Sequence, residues 1–445
     1  MAENPVQLYN IQYRRLFPWL HLFRAFWIAV DIRKLILAAV ALTLVSAGSL
    51  LCDQLPFGAP ASIEDAAERE VRRWPWQQHD NWLGGGGTGE LQSALRDPRN
   101  MLPQAWFKWR VVLVPFREFV EPASVLFRAD ATASQVADAA TRSLIHLIVW
   151  AIFGGAITRI AAMQFARDQQ IGIRRALAFS TSRFFGYLSA PLMPLVGVLI
   201  LWGLCVLGGW IGRIPGGIGE ALLGILWGLE LLFGFLMVVI LIGVAFGWPL
   251  MFATISVEGT DGFDGLSRAY NYVFERPLYS LWQAFVSLLF GSVAIFFVWL
   301  TSQILVELAV WGVSWGLGYN ATAQLIAGSP GLEAPSADAS AAGATAWGAQ
   351  FARGWMCALA AIVVGFVHTF FWSAATIAYF LLRHSVDAND FHEVYVEEAE
   401  EKDELLPLVG TAAMGEMREN AALGTNAGSA APSTPPSPPP VDLSP

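Results

Sequence analysis

Charge is what this chain has least of: only 14% of its 445 residues are Asp, Glu, Lys or Arg, while 55% are hydrophobic and the mean hydropathy is +0.49. A water-soluble domain needs far more polar surface to cover its core, so a soluble globular class is excluded. There is no broad basic face, which argues against nucleic acid as a partner. The net charge of −9 carries little weight here, because much of it comes from one acidic run at Glu393–Glu404 while the arginines gather beside apolar stretches. Cysteine is nearly absent. Cys52, Cys205 and Cys357 show no paired spacing, so neither a zinc site nor a disulfide framework is indicated, though a Cys52–Cys357 bridge stays open.

What is present is long apolar runs, several exceeding the roughly 20 residues a helix needs to cross a bilayer. Residues 1–33 lack the small-x-small pattern of a cleavable signal. Ser49-Leu50-Leu51-Cys52 fails as a lipoprotein box because Leu51 stands where a small residue is required. Leu16–Arg33 mixes Phe and Trp with Arg24, Asp31 and Arg33 and reads as an amphipathic helix on a membrane surface. The domain plan that follows is a cytoplasmic segment at 1–33, a first transmembrane helix at 34–51 and a Trp- and Pro-rich extracytoplasmic region at 52–142. A helical membrane domain at 143–390 carries five further spans near 144–163, 191–210, 221–248, 281–313 and 355–382. An acidic, then Pro-rich, disordered cytoplasmic tail fills 391–445. The fold class is therefore all-α, a polytopic transmembrane helical bundle of about six spans with amphipathic surface helices.

Orientation follows from the short flanks. Arg14, Arg15, Arg24, Arg33 and Lys34 precede span one, Arg167, Arg174, Arg175 and Arg183 lie between spans two and three, and Arg268 and Arg276 lie between four and five. The turn Gly212–Gly219 holds only Arg213, and the loop after span five has no basic residue before Arg353. The positive-inside bias puts both termini in the cytoplasm. Trp202, Trp210, Trp227, Trp311, Trp315, Trp347 and Trp355 then collect toward the outer interface. Leu22–Phe26 and Leu266–Tyr270 share L-x-R-A-aromatic, and Arg175-Ala176-Leu177 begins a looser copy, each ahead of a span. The arginines of these copies, Arg24, Arg174, Arg175, Arg183, Arg268 and Arg276, are the candidate contacts to the inner leaflet.

Chemistry-bearing residues are few. Gly84, Gly86 and Gly89 match a dinucleotide fingerprint formally, but no apolar strand precedes them and Glu90 would repel a phosphate. Trp106–Val114 is either a short strand or an interfacial helix. Glu230 stands alone in span four, where an ionised carboxylate costs at least ~2.5 kcal/mol, so it is expected to be protonated, paired or facing a wet cavity. His368, mid-span in the sixth helix, is a candidate partner for it. With Thr301, Ser302 and Gln303 these two are the residues able to line a polar path. Arg159 sits where its side chain can snorkel to the surface, and His146 and Glu307 fall near the outer boundary. His384 and His392 flank Asp387 and Asp390 in what reads as a solvated segment. Gly247-Trp248-Pro249 should break or kink span four, and Thr260 or Asp261 can cap the helix after the turn Glu258–Gly262. The glycine pairs 208/212, 224/228, 243/247 and 312/316 have the spacing of close helix packing. No nucleophile–base set, metal spacing or cofactor loop is found, so neither an enzymatic activity nor a cofactor is assigned.

Two stretches, Trp150–Asp168 (WAIFGGAITRIAAMQFARD) and Gly247–Pro277 (GWPLMFATISVEGTDGFDGLSRAYNYVFERP), resemble an uncharacterised group of bacterial multi-pass inner-membrane proteins, over about residues 140 to 390. The resemblance implies an inner-membrane location and brings no catalytic residues. The lipid bilayer is then the first partner, with other membrane proteins as further ones. A transporter-like or membrane-organising component is the leading expectation, and an interaction scaffold working through 52–142 and the tail is the other. Changing Arg174, Arg175 and Arg183 together to Glu is expected to disturb insertion, read by reporters fused at the Gly212–Gly219 turn. Unaltered topology and membrane stability would remove the anchoring role.

Overall fold

The computed structural model describes residues 17–58, 74–77, 109–128, 130–327, 329–330 and 344–396. The glycine run at Gly84 and the Pro-rich tail beyond Val396 lie outside the described residues. The helices are α1 (Arg24–Ala29), α2 (Ile32–Asp53), α3 (Trp109–Val112), α4 (Val114–Ser124), α5 (Ala133–Arg167) and α6 (Ile173–Ser182). They continue with α7 (Phe184–Ile211), α8 (Ile218–Glu258), α9 (Gly262–Glu275), α10 (Pro277–Leu317), α11 (Tyr319–Ile326) and α12 (Ala344–Asp387). A 3-10 segment, Pro18–Phe23, leads into α1. Among the described residues there is no strand.

Six of these helices, α2, α5, α7, α8, α10 and α12, are long and apolar enough to cross a membrane. In hydrocarbon no water competes for N–H and C=O groups, so an apolar run satisfies its backbone only by closing its own i to i−4 bonds. That rule explains why the helices outrun the expected spans. Pro191 and Pro194 sit inside α7, and Pro249 inside α8, without ending either. The break expected at Gly247-Trp248-Pro249 is absent because that segment is packed in the core, with Trp248, Pro249 and Leu250 all buried. Helix ends use local chemistry. Thr132 and Gln135 form a capping box on α5, Asp31 accepts from the Arg33 amide at 3.0 Å, and Asp261 accepts from the Asp264 amide at 2.9 Å. Gly259 turns the chain out of α8 with φ +66°.

The centre is built from α5, the C-terminal half of α8 and α12, with Ile157, Ile160, Met251, Phe252, Val364, Phe370 and Ile377 fully enclosed. Around it the chain repeats one device three times: α1, α6 and α9 each precede a long helix, and in each the alanine after an arginine (Ala25, Ala176, Ala269) is fully buried. Residues 17–29 differ from a helix lying on lipid. Leu22, Ala25 and Ala29 are buried against the bundle, and the Ala29 carbonyl accepts from the Thr369 hydroxyl at 3.0 Å. The apolar stripe meets α12 because that helix leaves a matching groove, while Trp27 stays exposed.

The ends of the bundle differ. One, which we call the basic end, gathers Arg24, Arg33, Lys34, Arg167, Arg268 and Arg383. Lys34 Nζ donates to Gln164 Oε1 at 2.7 Å, and Gln164 in turn donates to Asp31. At the other end Arg142 ties α5 to α2 through Asp53 at 2.6 Å and holds Asp138 at 2.8 Å. The seven tryptophans expected at an interface are all exposed. The parts of α7 and α8 away from the basic end stand as a hairpin with large apolar side chains exposed. No disulfide joins the three cysteines.

Glycine spacing works at some pairs only: Gly208, Gly212 and Gly243 meet side chains closely, while Gly224, Gly228, Gly312 and Gly316 have nothing within 4 Å. A Cβ on Gly155 would sit 2.5 Å from Ser180 Oγ and 2.8 Å from the Tyr187 ring. Gly155→Ala is therefore expected to lower stability by about 1–3 kcal/mol, the cost of overpacking. Gly224→Ala should leave it unchanged or slightly raised, both read as thermal melts of the purified protein.

Candidate functional site

The two short helices α3 and α4 belong to the stretch expected outside the membrane, yet they lodge in the bundle. The sequence WRVVLVPFREFVEPAS puts Val111, Val112, Val114 and Pro115 on one side, where they are buried, and Arg110, Arg117 and Glu121 on the other. Pro115 falls in the first turn of α4, where no amide hydrogen is needed. A Cβ on Gly291 of α10 would lie 2.5 Å from the Phe370 ring and 3.1 Å from Val112, so that glycine makes room for both α12 and α3. Trp106–Lys108 lie outside the described residues, and the remainder of the ambiguous segment is helical.

This insertion delivers Glu118 to His368. Glu118 Oε2 lies 3.0 Å from His368 Nε2, and His368 Nδ1 lies 3.3 Å from the Val364 carbonyl. The imidazole is fully buried and stacked on Trp150, with ring centroids 5.0 Å apart and planes 6° apart. His146 is next to it, buried between Phe119 and Trp150. Although its place in the sequence puts it near the outer boundary, it is shut away from solvent, with Phe119 of α4 against its ring. Phe119 in turn stacks on Trp248 at 4.6 Å.

The proton count of this pair follows from its geometry. A carbonyl oxygen only accepts, so Nδ1 carries a hydrogen toward Val364. In a neutral ring Nε2 is then bare, and a bare nitrogen facing a carboxylate sets acceptor against acceptor. One further proton, on Nε2 or on Oε2, makes both contacts attractive together.

Toward the basic end lies a second polar group. The Thr158 hydroxyl is 2.5 Å from Ser256 Oγ, Tyr187 Oη is 2.8 Å from the same atom, and Ser180 Oγ donates to the Ile152 carbonyl at 2.6 Å. Arg159 joins it, correcting the expectation that its side chain would reach the surface. Its guanidinium is wholly buried, donates to the Ser256 carbonyl at 2.9 Å and lies 4.2 Å over the Phe179 ring. The reason is α6, which packs across the end of α5 and shuts the route to solvent. Trp372, packed on Phe252 at 4.8 Å and crossed by Trp248 at 5.2 Å, forms an aromatic layer between the two polar groups. A Cβ on Gly154 would come within 3.0 Å of Trp372, so the layer is tight.

At the basic end itself, Glu258 takes Arg268 at 2.7 Å, Arg383 at 3.4 Å and the Tyr379 hydroxyl at 2.5 Å. Arg383 also reaches Glu393 at 3.1 Å. Tyr272 donates to Asp387, and burial, reinforced by that carboxylate, pushes its phenol well above the usual range.

The polar residues singled out from sequence do not share one site. Glu230 does not meet His368. It lies flat on Gly208 of α7, where a Cβ would fall 1.8 Å from Glu230 Oε1, and its Oε2 is buried without a hydrogen-bond partner among the described residues. Thr301 is exposed and donates to its own helix at the Phe297 carbonyl. Ser302 and Gln303 line a separate crevice of about 20 Å³ with Met356 and Leu359. Of the arginines, Arg24 is bonded to Asp168 at 2.6 Å and Arg268 to Glu258, so both spend charge on protein carboxylates. Arg183 lies over Phe179 at 4.8 Å, and Arg174, Arg175 and Arg276 are exposed. His384 and His392 contact the carbonyls of Asn389 and Ala166, and no metal cluster occurs among the described residues. Glu118 was passed over in the sequence. The signal for it was the apolar spacing through Val111, Val112, Val114 and Pro115.

No protein-family model matches the chain, and neither curated proteins nor solved structures return a match. Fold and site together define the class: an all-α, polytopic helical bundle with six candidate membrane spans. Replacing Glu118 by Leu should leave the buried His368 ring without its partner and lower stability by about 1–3 kcal/mol. Glu118→Gln, which keeps an acceptor, should cost less, both measured by thermal or denaturant melts.

Proposed function

We propose that this chain is a transporter-like component of a bacterial inner membrane, with the basic end toward the cytoplasm and the Glu118–His368 pair as its working element. The observation that carries the reading is this pair, a proton-holding contact between an inserted helix and the most enclosed part of α12. Ionisable groups inside a membrane bundle are costly and mark relays or permeant paths. Support for the orientation is the arginine bias toward one end. Support for the membrane assigned is the resemblance of Trp150–Asp168 and Gly247–Pro277 to bacterial multi-pass proteins.

The mechanism needs only the groups described. With its extra proton the pair is attractive and α4 is held against α12. Without it, a carboxylate faces an imidazole nitrogen lone pair and the contact turns repulsive, so α4 withdraws and admits water from the outer side. The aromatic layer of Trp248, Phe252 and Trp372 keeps the Thr158–Ser256 group sealed from that water, as alternating access requires. A scaffold working through residues 52–142 gains less support, since the part described at 109–124 is packed inside the bundle.

The test uses Phe119→Cys in a background with Cys52, Cys205 and Cys357 changed to Ser, in oriented vesicles. A membrane-impermeant maleimide is added from either side at pH 5.5 and 8. Labelling should come from the outer side, and Glu118→Gln should change its rate. A thiol that stays unreactive from both sides at both values would make the pair structural and defeat the transporter reading.

A further inference from the structure

A cavity of about 840 Å³ opens beside the core between α8, α10 and α12, lined by Phe116, Leu250, Leu281, Phe285, Phe371 and Ala374. That volume lies within the roughly 300–1,000 Å³ usual for ligand pockets. It runs along α10 from Leu278 to Leu288, about 15 Å at 1.5 Å rise per residue. That is roughly the depth of one leaflet of a hydrocarbon core about 30 Å thick. Most of the lining comes from three of the candidate spans, with Phe116 of α4 closing one side, so a membrane around those spans would bring acyl chains to the opening.

One polar side chain in this wall is out of place. Gln283 is 1% exposed, yet neither its Nε2 nor its Oε1 has a hydrogen-bond partner among the described residues. The Tyr279 hydroxyl comes near it without meeting hydrogen-bond geometry. A buried amide left so is destabilising, a cost that a ligand carrying a carbonyl or hydroxyl would remove. Arg276, two residues before the lining residue Leu278, is exposed and makes no ion pair among the described residues. Apolar walls, a buried amide within them and a cation just beyond Leu278 in the chain follow the order of parts in a glycerophospholipid: tail, ester, phosphate.

We propose that this cavity is a binding site for one anionic diacyl glycerophospholipid from the leaflet at the basic end. An acyl tail lies between α8 and α10 on the face of α12, an ester carbonyl accepts from Gln283 Nε2, and the phosphate meets Arg276. The site is separate from the Glu118–His368 pair and stands whether or not that pair works as proposed. It also gives the bundle a reason to leave α8 and α10 apart in their lower halves: the lipid is the missing packing element.

The experiment reconstitutes the full chain in nanodiscs of mixed phosphatidylglycerol and phosphatidylcholine. After detergent extraction, the lipid retained per protein is counted by native mass spectrometry. The wild type should retain phosphatidylglycerol in preference to phosphatidylcholine. Gln283→Leu should cut retention about tenfold, the factor for losing 1.4 kcal/mol. In lipid-free detergent it should melt no lower than wild type, since it removes an unpaired amide. Arg276→Gln, at an exposed position that folding does not depend on, should erase the preference for the anionic lipid while keeping a lipid bound. Retention and headgroup preference equal to wild type in both variants would overturn the assignment, as would a wild type that keeps no lipid.

Discussion

A charge taken into an apolar helix bundle has to bring its counter-group, because the desolvation of an isolated ion exceeds what packing can return. Most of the geometry of this protein can be followed from that constraint. Lys34 enters with Gln164 and Asp31, Arg142 with Asp53 and Asp138, Glu258 with Arg268, Arg383 and Tyr379, and Glu118 with His368. Each knot joins helices that are distant in sequence. Apolar faces alone are interchangeable, whereas a carboxylate opposite a guanidinium accepts only one register. The charged pairs therefore choose which of the many greasy packings is adopted.

The threefold use of a short helix before a long one fits the same logic. Arg24 and Arg268 each bind a carboxylate at or just beyond the end of a long helix, Asp168 after α5 and Glu258 at the end of α8. The alanine after each arginine is buried, so the short helix can come close while its cation stays at the rim. Small residues do comparable service deeper in. Gly155 makes room for Tyr187, whose hydroxyl completes the group around Ser256, and Gly208 makes room for Glu230. Close approach and polar contact are thus two aspects of the same positions.

The fold was largely legible because hydropathy over twenty residues is a strong, local signal. All six long helices were found, with the capping aspartate at Asp261 and the short helices near Arg24, Arg175 and Arg268. What was not legible depends on partners far away in sequence. Proline at 191 and 249 reads as a boundary in isolation, and becomes an interior residue once neighbouring helices support it. Arg159 has the stem to reach the surface, and only the fold of α6 over it decides otherwise. Glu118 lies in a short amphipathic segment, where a dozen residues cannot tell a water-facing surface from an insertion. Glu230 was noticed because it is alone in its run, yet loneliness in sequence says nothing about depth in a bundle or about who stands opposite.

The hairpin of α7 and α8 carries a consequence for the membrane that holds it. At 41 residues α8 is about 60 Å long; its exposed apolar flank runs from Ile218 to Phe246, about 42 Å against a hydrocarbon core of about 30 Å, and the remainder is packed in the core. The surplus has to be absorbed by tilt or by a locally thicker bilayer, at a fraction of a kcal/mol for each ångström of mismatch. The hairpin is thereby a gauge of bilayer thickness: thick, ordered regions let it stand upright, and thin ones lay it over.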